Sequence, residues 1–291
     1  MGIDVTSDFN KLCDNLKMSN TLVDSVRTKY HGIVKCINEY YWDSSSEDKN
    51  CLYVGSYGRG TAIYASDIDI VVNIPDSEYQ KYSKYLYGAQ SKFIQSVKDV
   101  LSEKYYNTEI RGDGQVIVAD FYDVRFEVVP AFQNSDRSYL YPDTNNGGSW
   151  NTMDPRKEID EFNRVNNECN GNLKRLSMMV RAWNEFNTVG LPGYAIDISV
   201  YDFLKSYTYK SQSYFYYDFM MRDFLFDLSN KSHYNPRFMF GSNKLMTIDC
   251  LYEYKAKASY DIAKKATDAS QSEDYITYIT SWRKIFGSRF S

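Results

Sequence analysis

Apolar positions change their spacing several times along the chain, and those changes divide it. A short helical pattern covers residues 6–17. After the cap candidates Ser19 and Asn20, Leu22, Val26, Tyr30, Ile33, Val34, Ile37 and Tyr41 recur at the spacing of one helix face. The pattern predicts a helix of about 20 residues, a spine for a small domain, ending near Asp43-Ser44-Ser45-Ser46. Residues 51–55 and 68–74 read as strands, the second stopped by Pro75-Asp76. Helical spacing returns over 76–104 through Tyr79, Tyr82, Leu86, Phe93, Val97, Val100 and Leu101, with a break at Gly88. Three β segments follow at 108–111, 115–121 and 124–129. They are separated by turns at Gly112-Asp113-Gly114 and Tyr122-Asp123 and closed by Pro130.

Residues 133–152 are polar and rich in turn formers, as in Asp143-Thr144-Asn145-Asn146-Gly147-Gly148, and predict a domain junction. Beyond them the spacing is helical over 155–169, 172–187, 195–209, 214–228, 249–270 and 272–286. Pro192-Gly193 and residues 229–248 interrupt it. The expected fold class is α+β. A spine helix and a core with a small mixed or antiparallel sheet occupy 1–140, and a helical lobe that closes over the active-site cleft occupies 141–291.

Composition narrows this picture little. At 291 residues the chain has ample core for one large domain or two small ones. A net charge of −4 gives no global signal for nucleic acid, and the 28 tyrosines mark composition more than function. No run of about 18 apolar residues occurs, so no membrane-spanning helix is expected. Met-Gly-Ile-Asp-Val-Thr lacks the basic and apolar regions of a signal peptide, which points to the cytoplasm. Gly2 and Thr6 fit an acylation pattern, but one short enough to match by chance. Cys13, Cys36, Cys51, Cys169 and Cys250 are scattered and odd in number, as expected of reduced thiols. With only His31 and His233 beside them, no His/Cys metal site is expected.

The candidate chemistry lies in Val54-Gly55-Ser56-Tyr57-Gly58-Arg59-Gly60-Thr61 and in Asp67-Ile68-Asp69-Ile70 after it. In a strand, Asp67 and Asp69 point the same way, and two adjacent carboxylates repel unless a cation joins them. Gly55 and Ser56 can offer backbone N–H groups and a hydroxyl to phosphate oxygens. Glu127 sits in a later apolar strand, a costly place for a carboxylate without a partner. Alone, each part has a plain explanation: a solvated Asp-x-Asp turn, or an ion pair of Glu127 with Arg125 or Arg111. The ordered conjunction instead predicts a catalytic set, Asp67, Asp69 and Glu127, holding two Mg²⁺ ions (or Mn²⁺). No P-loop and no kinase motif set is present.

The arrangement resembles the polymerase-β-type nucleotidyltransferases, and more narrowly the bacterial relatives of cyclic GMP-AMP synthase and oligoadenylate synthase that serve anti-phage signalling. GSYGRGTAIYASDIDIVV resembles the family's phosphate loop and metal motif. VRFEVVPAF resembles the strand of its third acid, with Glu127 where many members have Asp. DTNNGGSWNTMDPRKEI, LKRLSMMVRAWN and SWRKIFGSRF resemble the segment joining core to lobe, the first long lobe helix and the usual ending.

The resemblance implies template-free joining of two nucleoside triphosphates into a cyclic dinucleotide, with pyrophosphate released. It implies donor phosphates on Gly55 and Ser56, a phosphate contact from Arg181, and a donor base stacked on Tyr194. It also implies that a separate receptor reads the product. Gly193 stands where a contacting Ser is frequent. The zinc insertion of the animal DNA sensor is missing, so activation by double-stranded DNA is not expected. Arg181-Ala182-Trp183 resembles a compact subset paired with STING-like receptors, implying GTP as substrate and cyclic di-GMP as product. Asn163, Asn166 and Asn167 lie where relatives read the base edge, and Asn there favours uracil in some, which places a uridine-containing product second. A monomer without a membrane partner is expected. Two other readings share the core motif. One is transfer of a single nucleotide to a small molecule, protein or RNA end; Lys255, Lys257, Lys264 and Lys265 form a basic helix face. The other is a nucleotide sensor without turnover.

Overall fold

A computed structural model describes residues 3–64 and 67–291. Gly2 of the acylation pattern, and Ala65-Ser66 before the acids, lie outside the described residues. The first half contains α1 (Val5–Asn15), α2 (Asn20–Tyr41), β1 (Cys51–Tyr53), α3 (Gly55–Arg59), β2 (Asp67–Asn73), α4 (Asp76–Tyr82), α5 (Ala89–Lys104), β3 (Glu109–Asp113), β4 (Val116–Asp120), β5 (Arg125–Gln133), β6 (Tyr139–Asp143) and β7 (Ser149–Met153). Then come α6 (Pro155–Glu168), α7 (Asn172–Phe186), α8 (Gly193–Ser206), α9 (Tyr217–Ser229), β8 (Arg237–Phe238), β9 (Leu245–Met246), α10 (Glu253–Gln271) and α11 (Tyr275–Phe286). No described helix is long and apolar enough to cross a membrane.

The chain divides into two compact units. The sheet unit comprises Met18–Gly58 and Tyr64–Lys157; the helical unit comprises Met1–Lys17, Arg59–Ile63 and Glu158–Ser291. The boundary therefore falls at 157/158 rather than at the expected 140/141, and α1 counts with the helical unit.

In the sheet unit the strand order is β1-β2-β5-β4-β3, with β6 and β7 continuing from the far end of β5. Only β2 and β5 pair in parallel; the other pairs described are antiparallel. Ser19 caps the spine helix α2, its Oγ accepting from the Leu22 N–H at 3.3 Å. Val26, Ile33 and Ile37 of α2 and Phe93, Val97 and Leu101 of α5 share one core with Ile68, Ile70, Ile117, Phe126 and Val128 of the strands. Each such fully buried side chain contributes roughly 1.5–3 kcal/mol, and together they fix which face of the sheet is left for chemistry. Gly88, with φ +68°, breaks the long helical pattern into α4 and α5.

Two expectations fail here. Pro130 does not end its strand; β5 runs on to Gln133. Pairing with β4 stops at Val128 and pairing with β6 starts at Phe132, so Pro130 falls in a gap where no ladder bond is asked of its nitrogen on that side. The polar junction at 133–152 is also more than a junction. Its turn residues connect a hairpin of β6 and β7, in which Trp150 lies 5.3–5.8 Å from the rings of Tyr79, Phe93 and Phe132.

In the helical unit α1 is a core element. Phe9 is fully buried and meets Trp282, Phe290 and Tyr217 edge-on at 5.1, 5.4 and 6.4 Å. Trp183 lies in the same core, its Nε1 donating to Ser259 Oγ at 2.8 Å. Also inside is Asp218, 1% exposed, with Oδ1 accepting from the Phe219 N–H. Burial pushes its carboxyl from 3.8 up to about 7, against the pull of that N–H and of Arg222. A raised carboxyl pKa means that the folded state disfavours the anion. Stability is therefore lost as pH rises from about 4 through about 7, by on the order of 4 kcal/mol. Asp218→Asn is expected to melt about 5–10 °C above the parent at pH 8 and near it at pH 4. An unchanged or lower melting point at pH 8 would refute this assignment.

Candidate active site

Asp67 and Asp69 open β2, and Glu127 lies in β5, its parallel neighbour. In register, Asp69 faces Glu127 and Asp67 faces Arg125. Ile68, Ile70, Phe126 and Val128 go to the helix-covered core. Alternation then puts Asp67, Asp69, Arg125 and Glu127 together on the opposite face. Asp69 and Glu127 stand side by side on the paired strands. Burial holds the Glu127 carboxyl above its ordinary range; Asp67 and Asp113 add to this, and Arg125 opposes it.

An ion pair of Glu127 with Arg125 or Arg111 does not account for its position, because both arginines bond to Asp120. Arg125 donates from Nε and Nη2 at 2.5 and 3.2 Å, and Arg111 from Nη1 at 3.0 Å. The hydrogen bond from Arg125 holds the Asp120 carboxyl below its usual range. What remains around Glu127 is an acid surplus suited to a hard cation with oxygen ligands. Among the described residues no group of three or more His, Cys, Asp or Glu is gathered tightly enough to hold an ion unaided. Mg²⁺ commonly completes its shell with water and substrate phosphates, so the chemistry of the set fits.

The expected glycine-rich turn is a single helical turn, α3, with the Gly58 N–H donating to Val54 O at 2.8 Å. The Val54 N–H donates to Asp69 O at 2.9 Å, which ties the start of the turn to the acid strand. Gly55 has φ +60°, and a Cβ there would lie 1.9 Å from Asp69 Oδ2. Only glycine lets the backbone approach this closely. Ser56 follows in the same turn. Thus Gly55, Ser56, Asp67, Asp69 and Glu127 all belong to the sheet unit.

Arg181, Tyr194 and Asn166 belong to the helical unit. Arg181 is engaged within it: Nη1 donates to Asp197 Oδ1 at 2.6 Å, and Nη2 donates to Asp197 Oδ2 at 3.0 Å and to Gly193 O at 3.1 Å. Arg59 Nε and Thr61 Oγ1 donate to the same Asp197 Oδ2 at 2.9 and 3.3 Å. Asp197 is fully buried; burial raises its carboxyl pKa, but Arg181 and Arg59 outweigh that and hold it below the usual range. Tyr194 is half-buried and donates its hydroxyl to Thr247 O at 2.6 Å. The Asn166 carboxamide oxygen accepts from the Lys174 N–H at 3.0 Å, closing the corner between α6 and α7. No role was expected for Arg59 or Asp197. The signal was a single acid inside Ala195-Ile196-Asp197-Ile198, which a buried helix tolerates only with a cation beside it.

Comparison with known proteins places the family and the fold. The Second Messenger Oligonucleotide or Dinucleotide Synthetase domain matches residues 3–166, a span that includes Gly55, Ser56 and all three acids. A probable cyclic nucleotide synthase of Bacillus cereus (strain VD146) is 25% identical over 257 residues, 80% of this chain and 74% of that protein. Among solved structures, CdnC of Escherichia coli MS115-1 in its complex with HORMA-deltaN has a TM-score of 0.70 at 15% identity, over 98% of each chain. The STING-associated CdnE c-di-GMP synthase of Capnocytophaga granulosa has a TM-score of 0.66 at 15% identity, over 96% of this chain and 87% of that one. At these identities the structures speak for the polymerase-β-type fold with its helical lobe. The domain match takes in more than half of the sequence, and the chain therefore belongs to the family of second-messenger oligonucleotide and dinucleotide synthetases and is a nucleotidyltransferase.

Proposed function

We propose that the chain joins two nucleoside triphosphates, without a template, into a cyclic dinucleotide that serves as a messenger in anti-phage defence. The observation that carries this reading is the contact of three parts on one sheet face: Asp69 beside Glu127, and the Gly55 backbone against Asp69. In each of two steps a ribose hydroxyl oxygen bonds to the donor α-phosphorus. The bond from that phosphorus to the bridging oxygen breaks, pyrophosphate leaves with the electron pair, and the hydroxyl proton passes to solvent. Gly55 and Ser56 hold the donor phosphates through backbone N–H groups and a hydroxyl. Asp67, Asp69 and Glu127 would hold two Mg²⁺ ions, or Mn²⁺, which supply charge neutralisation at the phosphoryl group and acidify the attacking hydroxyl. Tyr194 offers a ring face to the donor base. Arg181, held by Asp197, offers a contact to phosphate, and Asn166 a contact to the base edge.

GTP is the favoured substrate and cyclic di-GMP the first-ranked product, supported by Arg181-Ala182-Trp183 and by the likeness to a c-di-GMP synthase; a uridine-containing dinucleotide ranks second. The protein acts as a cytoplasmic monomer, and a separate receptor reads its product. Incubation with all four nucleoside triphosphates and Mg²⁺ or Mn²⁺, followed by mass spectrometry, is expected to show a cyclic dinucleotide and two pyrophosphates per molecule formed. A nucleotide attached to added RNA, protein or small molecule, with no free dinucleotide, would replace this reading with single-nucleotide transfer.

A further inference from the structure

The face that carries the acids continues sideways across the sheet. Read in register, one row is Asp67, Arg125, Asp120 and Glu109; the next is Asp69, Glu127, Val118 and Arg111. The lateral order matters. Gly55 and Ser56 follow β1 and press on Asp69 from one side, whereas Arg125 and Arg111 lie on β5 and β3, toward the other edge. In an in-line displacement the leaving pyrophosphate and the attacking hydroxyl stand on opposite sides of the transferred phosphorus. If the donor's phosphates lie at the loop, pyrophosphate leaves toward β1 and the acceptor enters over β5, β4 and β3.

An acceptor nucleoside triphosphate keeps its own 5′-triphosphate through the first step, and that group needs a cationic neighbour on the acceptor side. Arg111 stands two strand spacings from Glu127, about 10 Å, comparable with the span of a ribose and its first phosphates. The side chains of Arg111 and Arg125 are 41% and 42% exposed, and the two guanidiniums converge on one carboxylate, Asp120. Arg125 also approaches Asp67 Oδ1, at 3.9 Å, too far for a hydrogen bond. Asp120 fixes both planar forks beside the acids and leaves donors of Arg111 to face solvent, an arrangement suited to phosphate oxygens.

We propose that Arg111 and Arg125, aligned by Asp120, bind the 5′-phosphates of the acceptor nucleotide and make the enzyme select a triphosphorylated acceptor. This rests on the reading that two nucleoside triphosphates are joined. The test separates the two roles of substrate. A 2′,3′-dideoxynucleoside triphosphate serves as an obligate donor, and the acceptor is either a nucleoside triphosphate or the monophosphate of the same base, with products resolved by mass. The parent is expected to prefer the triphosphate acceptor. Arg111→Gln and Arg125→Gln are each expected to narrow that preference about tenfold, the size of one charge-assisted hydrogen bond in a half-exposed site. KM for the donor should stay within twofold in Arg111→Gln. Arg111→Lys, which keeps the charge but not the fork, should retain part of the preference, and melting curves report the folding of each variant. Parental selectivity in a folded Arg111→Gln protein would overturn the proposal. Absence of any joined product from the parent would instead remove the dinucleotide reading, and this proposal with it.

Discussion

Replacing Asp67 and Asp69 together by Asn is expected to abolish nucleotide joining while leaving the fold intact. The two side chains lie on the sheet face away from the helix-covered core, and the Asp67 side chain is 47% exposed. Their loss removes like charge from around Glu127 and takes nothing from the packing of Ile68 and Ile70. A metal ion that neutralises a transferring phosphoryl group stabilises the transition state by several kcal/mol, so turnover should fall at least about a thousandfold. Pyrophosphate release measures turnover, and thermal melting measures the fold. Mg²⁺ with a nucleoside triphosphate should raise the melting temperature of the parent and not of the double variant. Activity within tenfold of the parent would dismiss the acid set as the catalytic centre.

Removing Asp197 should have the largest effect on stability. Its carboxylate satisfies Arg59 and Arg181, whose side chains are only 7% and 9% exposed. Asp197→Ala leaves two buried guanidiniums facing each other with no counter-ion. Breaking a buried ion pair from one side typically costs about 3–5 kcal/mol, or about 10 °C in melting temperature for a chain of this size. Replacing all members with apolar residues removes the stranded charges as well as the pair. The triple variant Arg59→Met, Arg181→Met, Asp197→Leu should therefore melt closer to the parent than Asp197→Ala does. If the triple variant melts lower than Asp197→Ala, packing rather than charge governs this cluster. Urea titration of the three proteins gives the comparison independently of thermal reversibility.

Much of the sheet face was legible in advance because β structure has a period of two. Once residues 68–74 and 124–129 read as strands, Asp67 and Asp69 had to share a face, and Glu127 had to face away from Phe126 and Val128. The pairing of β2 with β5 was not legible, since no local rule says which strand a strand meets. The β6–β7 hairpin was hidden by its own turn, whose Asn and Gly residues dominate a short stretch in which Tyr139, Tyr141 and Trp150 supply the packing. The lone acid Asp197 signalled a buried cation, but which cations meet it could not be read, because Arg59 and Arg181 come from other segments. For Arg181 the resemblance implies a phosphate contact, and no local pattern could show that its terminal nitrogens also bond to Asp197 and Gly193.

The burial of Phe9 against Phe290 and Trp282 has a consequence for how the protein is made. Helix α1 is synthesised well before the aromatic rings of Trp282 and Phe290 that cover it. Until they arrive, the apolar side of α1, with Val5, Phe9 and Leu12, lacks these partners and is a surface that chaperones recognise. The sheet unit, Met18–Gly58 and Tyr64–Lys157, is complete in sequence before most of the helical unit is made. Loss of the segment that holds Trp282 and Phe290 would then leave Phe9 without these partners, a form suited to clearance by proteases.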